Sequence, residues 1–225
     1  KSIWLTNNVI SQNKGEWYNG GLLIYGEDTV VANNTISDNY VDGPGAGLSI
    51  ELSSDSHKAA IYNNIMYGNS GYGEANDLYS LNDKDSNGIP STVSVYNNSF
   101  DHTTLGITMQ IPFAIDSSNL KAVNPLFVDS VAGNYQLSQG SPCIDTGTTP
   151  GISVPTDISG VSRPMGQKYD MGAYEYSALP VPQILADAQS GSVTAAAGVP
   201  VMVSISLNPA TMSGQNADWW LIYVS

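Results

Sequence analysis

The six residues Asp83-Lys84-Asp85-Ser86-Asn87-Gly88 put oxygen-bearing side chains at alternate positions and close on a glycine. In calcium loops of the EF-hand type, oxygens spaced this way converge on a hard cation and the glycine permits the sharp turn. The pattern then departs from the full loop, because Ser94 stands where a bidentate glutamate is needed. The expectation is a weak Ca2+ site with Asp83, Asp85 and Asn87 as ligands, filled at millimolar extracellular calcium. The alternative is a turn held by its own Asp and Asn side chains. A second chemistry lies in Trp17-Tyr18, Tyr40 and Tyr72. Exposed aromatic rings offer apolar faces on which sugar rings stack, although such rings also pack over the flank of a repeat structure. The candidate ligand-binding residues are Trp17, Tyr18 and Tyr72, joined by Asp55 from the acidic segments.

Catalytic chemistry is harder to assemble. His57 and His102 stand alone, and no serine-nucleophile motif, zinc spacing or phosphate-cradling glycine loop occurs. Asp55, Asp83 and Asp85 supply carboxylates for glycoside hydrolysis, but the sequence does not fix their separation. Lys58 and Lys84, beside acidic residues, are the nearest approach to the base of a calcium-assisted lyase. No catalytic constellation is complete in these residues, so no catalytic residue is assigned.

The elements that position these groups follow from a repeat. Asn-Asn occurs four times inside one apolar frame, at Asn7-Asn8, Asn33-Asn34, Asn63-Asn64 and Asn97-Asn98. Leu5, Val31, Ile61 and Val95 precede these pairs, and Ile10, Ile36, Met66 and Phe100 follow them. Another asparagine recurs further on in three copies, Asn13, Asn39 and Asn69, with Thr103 in the fourth. The apolar residues before each pair keep the two-residue period of a strand, and the one after it falls out of phase. The chain must therefore bend at the pair, where asparagine tolerates left-handed backbone. Asn8, Asn34, Asn64 and Asn98 are expected to stack and hydrogen-bond from rung to rung. A further strand recurs at Leu22, Leu48 and Leu78, each at the same distance behind its own Asn pair, with a shortened equivalent at Leu105–Met109. The segments from these leucines to the next Asn pair lengthen from copy to copy, which puts all the insertions at one corner. They carry Glu27-Asp28, then Glu51 to Lys58, then Asn82 to Gly88, an acidic face. The fold class expected is all-β, a right-handed parallel β-helix (solenoid) whose handedness follows from the rule for parallel crossovers.

The composition suits this. Charged residues are 12% of the chain and the net charge is −13. That balance argues against nucleic acid as a partner, because nucleic-acid binding needs a basic footprint. No apolar stretch is long enough for a transmembrane segment. The single cysteine, Cys143, is expected to be a buried small hydrophobe. Lys1 opens within a strand and Ser225 closes one, so the chain is expected to be a fragment or to be completed at its ends by partner molecules.

From Asn124 the texture changes. Asn124-Pro125, Gly133-Asn134-Tyr135, Gly140-Ser141-Pro142-Cys143 and Asp157 to Pro164 lead to Asp170-Met171-Gly172-Ala173-Tyr174-Glu175. With the Asn-Asn copies, this resembles the C-terminal part of the pectin-lyase-like right-handed β-helix proteins of bacteria, and more narrowly their choice-of-anchor Q type. The resemblance covers about residues 1–177 and implies a secreted protein at the cell surface whose closing segment ends the solenoid. The polygalacturonase signatures of that superfamily are missing here. Arg163, the only arginine, lies among Asp145, Asp157, Asp170 and Glu175. It is expected to pair with one or two carboxylates, Asp170 among the candidates, and to pin a cap onto the last coil. Residues 1–123 are read as coils, 124–177 as the C-terminal coil and cap, and 178–225 as a linker and the start of a β-sandwich-like module. The function expected is an extracellular, non-catalytic surface or matrix module presenting an acidic loop face to calcium and to polysaccharide or other glycans. One rival is a fibre, filament or spike subunit that self-assembles through open coil ends and unpaired strands. The other is a fragment of a polysaccharide lyase or hydrolase.

Overall fold

The computed structural model describes residues 2–17, 19–26, 28–52, 57–71, 77–81, 92–101, 106–108, 113–178, 181–186 and 203–208. Residues 1–176 and 177–225 form two compact units. Among the described residues the chain is all-β, without helix. In the first unit the chain passes repeatedly through four parallel sheets in the same order. The first sheet stacks Ser2–Thr6, Asp28–Ala32, Lys58–Tyr62, Thr92–Tyr96 and Phe113–Ile115. The second stacks Val9–Ser11, Thr35–Ser37, Ile65–Tyr67, Ser99–Phe100 and Leu120–Lys121. The third holds Lys14–Gly15, Tyr40–Val41 and Ser70–Gly71. The fourth holds Leu22–Gly26, Leu48–Leu52, Leu78–Leu81 and Gly106–Thr108. Leu22, Leu48 and Leu78 lie in one register. The acidic insertions expected at one corner fall in the segments that follow the fourth-sheet strands, residues 27, 53–57, 82–91 and 109–112, which apart from His57 lie outside the described residues.

Each pass turns on a two-residue device. Asn7, Asn33, Asn63 and Asn97 adopt left-handed backbone, with φ of 56°, 55°, 56° and 50°. The asparagine that follows each of them points inward. Asn8 donates its backbone and side-chain N–H groups to Asn34 Oδ1, Asn34 donates to Asn64, Asn64 to Asn98, and Asn98 to Asn119, at 2.9–3.0 Å throughout. The next corner repeats the device with other residues in the left-handed place: Gln12, Asp38 and Gly68. Asn13 then donates to Asn39, and Asn39 to Asn69, whose amide ends on Asp77. Between the ladders, Val31, Ile36, Leu48, Ile50, Ile61, Met66, Val93, Val95 and Phe100 fill a continuous apolar interior. A fifth pass, through Phe113–Ile115 and Leu120–Lys121, extends the four copies visible as Asn-Asn pairs.

The segment 124–176 does not sit over the last coil as expected. It runs back along the outside of the second sheet, touching every pass from Asn97 to Asn7. Asn97, Asn63, Asn33 and Asn7 donate their side-chain amides to the carbonyls of Thr146, Thr148, Asp170 and Thr156. At the other corner Gln12 donates to the Ser130 carbonyl, and the Tyr135 hydroxyl donates to Asp38. The physical reason is the outward face of the second sheet, where Ile65 and Tyr67 offer apolar surface to be covered. In Thr35-Ile36-Ser37 only Ile36 faces the interior, yet all three are buried. The outward face is buried because this segment covers it. Ile65 there joins Leu137, Cys143 and Met171 in a second, smaller core, with Phe127 edge-on to both Tyr67 and Tyr135. Cys143 is fully buried, and burial pushes its thiol up to about 11. It is an inert packing residue.

In the second unit, Val181–Ala186 pairs antiparallel with Val203–Asn208. Val181 and Pro182, at the end of the stretch 178–182 that the sequence suggested was linker, therefore belong to a strand. Pro182 lies opposite Leu207 in that pair. Val203, Ile205 and Leu207 lie on its partner strand; the strand that Ser225 was expected to close lies outside the described residues.

Candidate functional site

The exposed aromatic expected from the sequence is present at the connection between the third and fourth sheets. Trp17 is 78% exposed, an unusual state for so large an apolar side chain. With Lys14, Glu16 and Asp42 it lines a surface depression of about 550 Å³. The parallel register sets Lys14 beside Tyr40. Its ammonium group lies over that ring, 5.4 Å from the centroid, within cation–π range. The Tyr40 hydroxyl donates to Asp42 at 2.6 Å, which raises the phenol above its ordinary value by favouring the protonated form. The site thus combines one indole face with two carboxylates and one fixed ammonium. It has hydrogen-bond acceptors and donors for hydroxyls around an apolar platform. Lys14, Glu16 and Asp42 were not singled out by sequence reasoning. The signal was the alignment of Lys14 with Tyr40, legible only once the two-residue strands of the third sheet are paired.

Tyr18, Tyr72, Asp55, His102, Lys84 and the calcium-type positions Asp83, Asp85 and Asn87 lie outside the described residues. Among the described residues no group of three or more metal-ligating side chains occurs. At the acidic corner the described groups form a local surface pair. Asp28 accepts the Lys58 backbone N–H at 2.9 Å, which pulls its carboxyl below the ordinary value, and lies 3.5 Å from His57 Nδ1.

Arg163, Asp157, Asp170 and Glu175 are brought together and buried, and their role is architectural. Arg163 Nη1 pairs with Glu175 Oε1, and Nη2 donates to the Gly172 carbonyl at 2.8 Å. The guanidinium thus engages one carboxylate rather than two. The acids mainly cap backbone. Asp170 accepts the Asp145 and Tyr176 N–H groups. Asp157 accepts those of Ser159, Val161 and Glu175. Glu175 accepts those of Met165 and Asp170. Gly172 belongs to the same knot: its φ is +92°, and a Cβ there would stand 2.8 Å from Ile65 Cδ1.

Burial, reinforced by the neighbouring Glu175, raises the Asp170 carboxyl to about 7, against the pull of its two N–H donors. A carboxyl that binds its proton more tightly folded than unfolded stabilises the fold in full below its unfolded value, near pH 4. That stabilisation declines as pH rises and is gone above pH about 7. Its size is on the order of 4 kcal/mol, and Glu175, also raised by burial, acts in the same sense. The first unit is therefore expected to melt at a higher temperature at pH 5 than at pH 8. A flat melting profile across that range would show that Asp170 keeps its charge when folded.

Among the described residues no helix is long and apolar enough to cross a membrane. No protein-family model, curated protein or solved structure matches the chain.

Proposed function

We propose that residues 1–176 form a right-handed parallel β-helix of the pectin-lyase-like kind, and that the protein is an extracellular, non-catalytic module that holds glycans at its surface. The observation that carries the reading is Trp17, left 78% exposed beside Glu16, Asp42 and Lys14 on a frame of stacked strands. The apolar face of the exposed indole is open to a sugar ring, and the carboxylates accept the sugar hydroxyls. Calcium at Asp83, Asp85 and Asn87 belongs to the same proposal, on sequence pattern.

Titration calorimetry with neutral oligosaccharides tests it. Trp17→Ala is expected to lower the apparent affinity about tenfold, roughly the loss of one stacking contact. Undiminished binding by Trp17→Ala would remove Trp17 from the site. The same titration in chelator tests the cation, and an unchanged affinity and melting temperature there would remove calcium from the proposal.

A further inference from the structure

A second aromatic platform lies elsewhere, on the outer face of the first sheet. In Thr92–Tyr96, Val93 and Val95 face the interior, which turns Ser94 and Tyr96 outward. Tyr96 is in register with Tyr62, and their rings stack with centroids 5.0 Å apart and planes 15° from parallel. Tyr62 is 2% exposed, so the inner ring of the pair is enclosed by its surroundings. The stack then stops. In the next pass Ile115 aligns with Val95, and the residue that follows it is Asp116 rather than an aromatic. Tyr96 instead lines a depression of about 550 Å³, walled by Asn97, Ile115, Asp116 and Ser118. A second depression of about 430 Å³ shares Asn97 and reaches Thr148, Gln167 and Lys168 on the closing segment.

We infer that this groove is a carbohydrate subsite distinct from the Trp17 patch, in which a neutral pyranose ring stacks on Tyr96 as the third member of the aromatic column. Offset-stacked contact is the geometry that a sugar's apolar face and a tyrosine ring share. Asp116 is fixed by the Ser118 N–H at 2.8 Å, and an ionised carboxylate retains further lone pairs to accept ring hydroxyls. Asn97 stands where the two depressions meet, so a chain of two or more sugars continues from Tyr96 toward Gln167. Among the described residues no cationic side chain lines the Tyr96 depression. The net charge of −13 also repels polyanionic glycans, so the ligand class is neutral.

The test uses the full chain and three probes: cellotetraose, mannotetraose and xylotetraose. In a Trp17→Ala background, at least one probe is expected to bind saturably. Adding Ala114→Trp, which fills the depression from an exposed outward position, is expected to weaken that binding about tenfold or more without lowering the melting temperature. Tyr96→Phe, which keeps the ring, is expected to bind as the parent does. Undiminished binding by the Ala114→Trp variant, or no binding of any probe once Trp17 is removed, would overturn the inference. If Trp17→Ala changes nothing and Ala114→Trp abolishes binding, the Tyr96 groove stands and the Trp17 patch falls.

Discussion

Replacing Asn34 with alanine is expected to destabilise the first unit by about 5 kcal/mol, whereas Asn33→Gly, one residue earlier, is expected to cost about 1.5 kcal/mol. The two side chains differ in what they leave behind. Asn34 is wholly buried, and its amide donates to the carbonyls of Leu5 and Ala32 and to Asn64 Oδ1. Its carbonyl accepts both the backbone and the side-chain N–H of Asn8. Alanine orphans groups on three successive passes, in a place that water does not reach. Each buried unsatisfied group costs about 1–3 kcal/mol. Asn33 donates to one carbonyl, that of Asp170, and receives a long contact of 3.4 Å from Asn63. Glycine keeps its φ of 55° at no steric cost, so only those contacts are lost. Urea denaturation of both variants measures the difference, and equal losses would show that the ladder is no stronger than the outer bracket.

That division of labour explains why the repeat is spelled with two asparagines. The left-handed residue turns its side chain outward to hold the closing segment, and the next residue turns inward to build the ladder. At the second corner the outward residue is Gln12 or Asp38, chosen for the partner it meets, Ser130 or Tyr135. The sequence therefore makes the first corner conspicuous and half-hides the second, though the backbone does the same thing at both.

The stacked passes were legible because side chains with one job recur at one spacing. The fifth pass was not. Val95 aligns with Ile115 and Ser99 with Leu120, which puts one extra residue between these positions in the fifth pass. Ser118 there accepts the Asn97 N–H through its hydroxyl, so the asparagine pair shrinks to Ser118-Asn119. A single inserted residue is enough to break a template read by eye. The path of residues 124–176 was hidden for a different reason. Their partners lie as far as 149 residues away along the chain, and no local period records such contacts. What did mark the segment was its lone arginine among Asp145, Asp157, Asp170 and Glu175, and the energetics of that knot can be tested separately.

Arg163→Met is expected to cost about 4 kcal/mol at pH 8 and less than half of that at pH 5. Removing one member of a buried ion pair typically costs about 3–5 kcal/mol, because the partner is left as an uncompensated charge. Here that partner is Glu175, whose side chain is fully buried and whose carboxyl burial already pushes above its ordinary value. Without the guanidinium, the attraction that offsets burial disappears and the carboxyl rises further. Acid then protonates it in the folded state, and the charge penalty falls as pH is lowered. The carbonyls of Gly172 and Asp170 also lose a donor in this variant, a loss that does not titrate. The pH dependence therefore separates the two contributions. Chemical denaturation of wild type and Arg163→Met at both pH values provides the measurement. If the deficit is the same at pH 5 and pH 8, Arg163 holds the closing segment through those carbonyls, and the ion pair contributes little to fastening it.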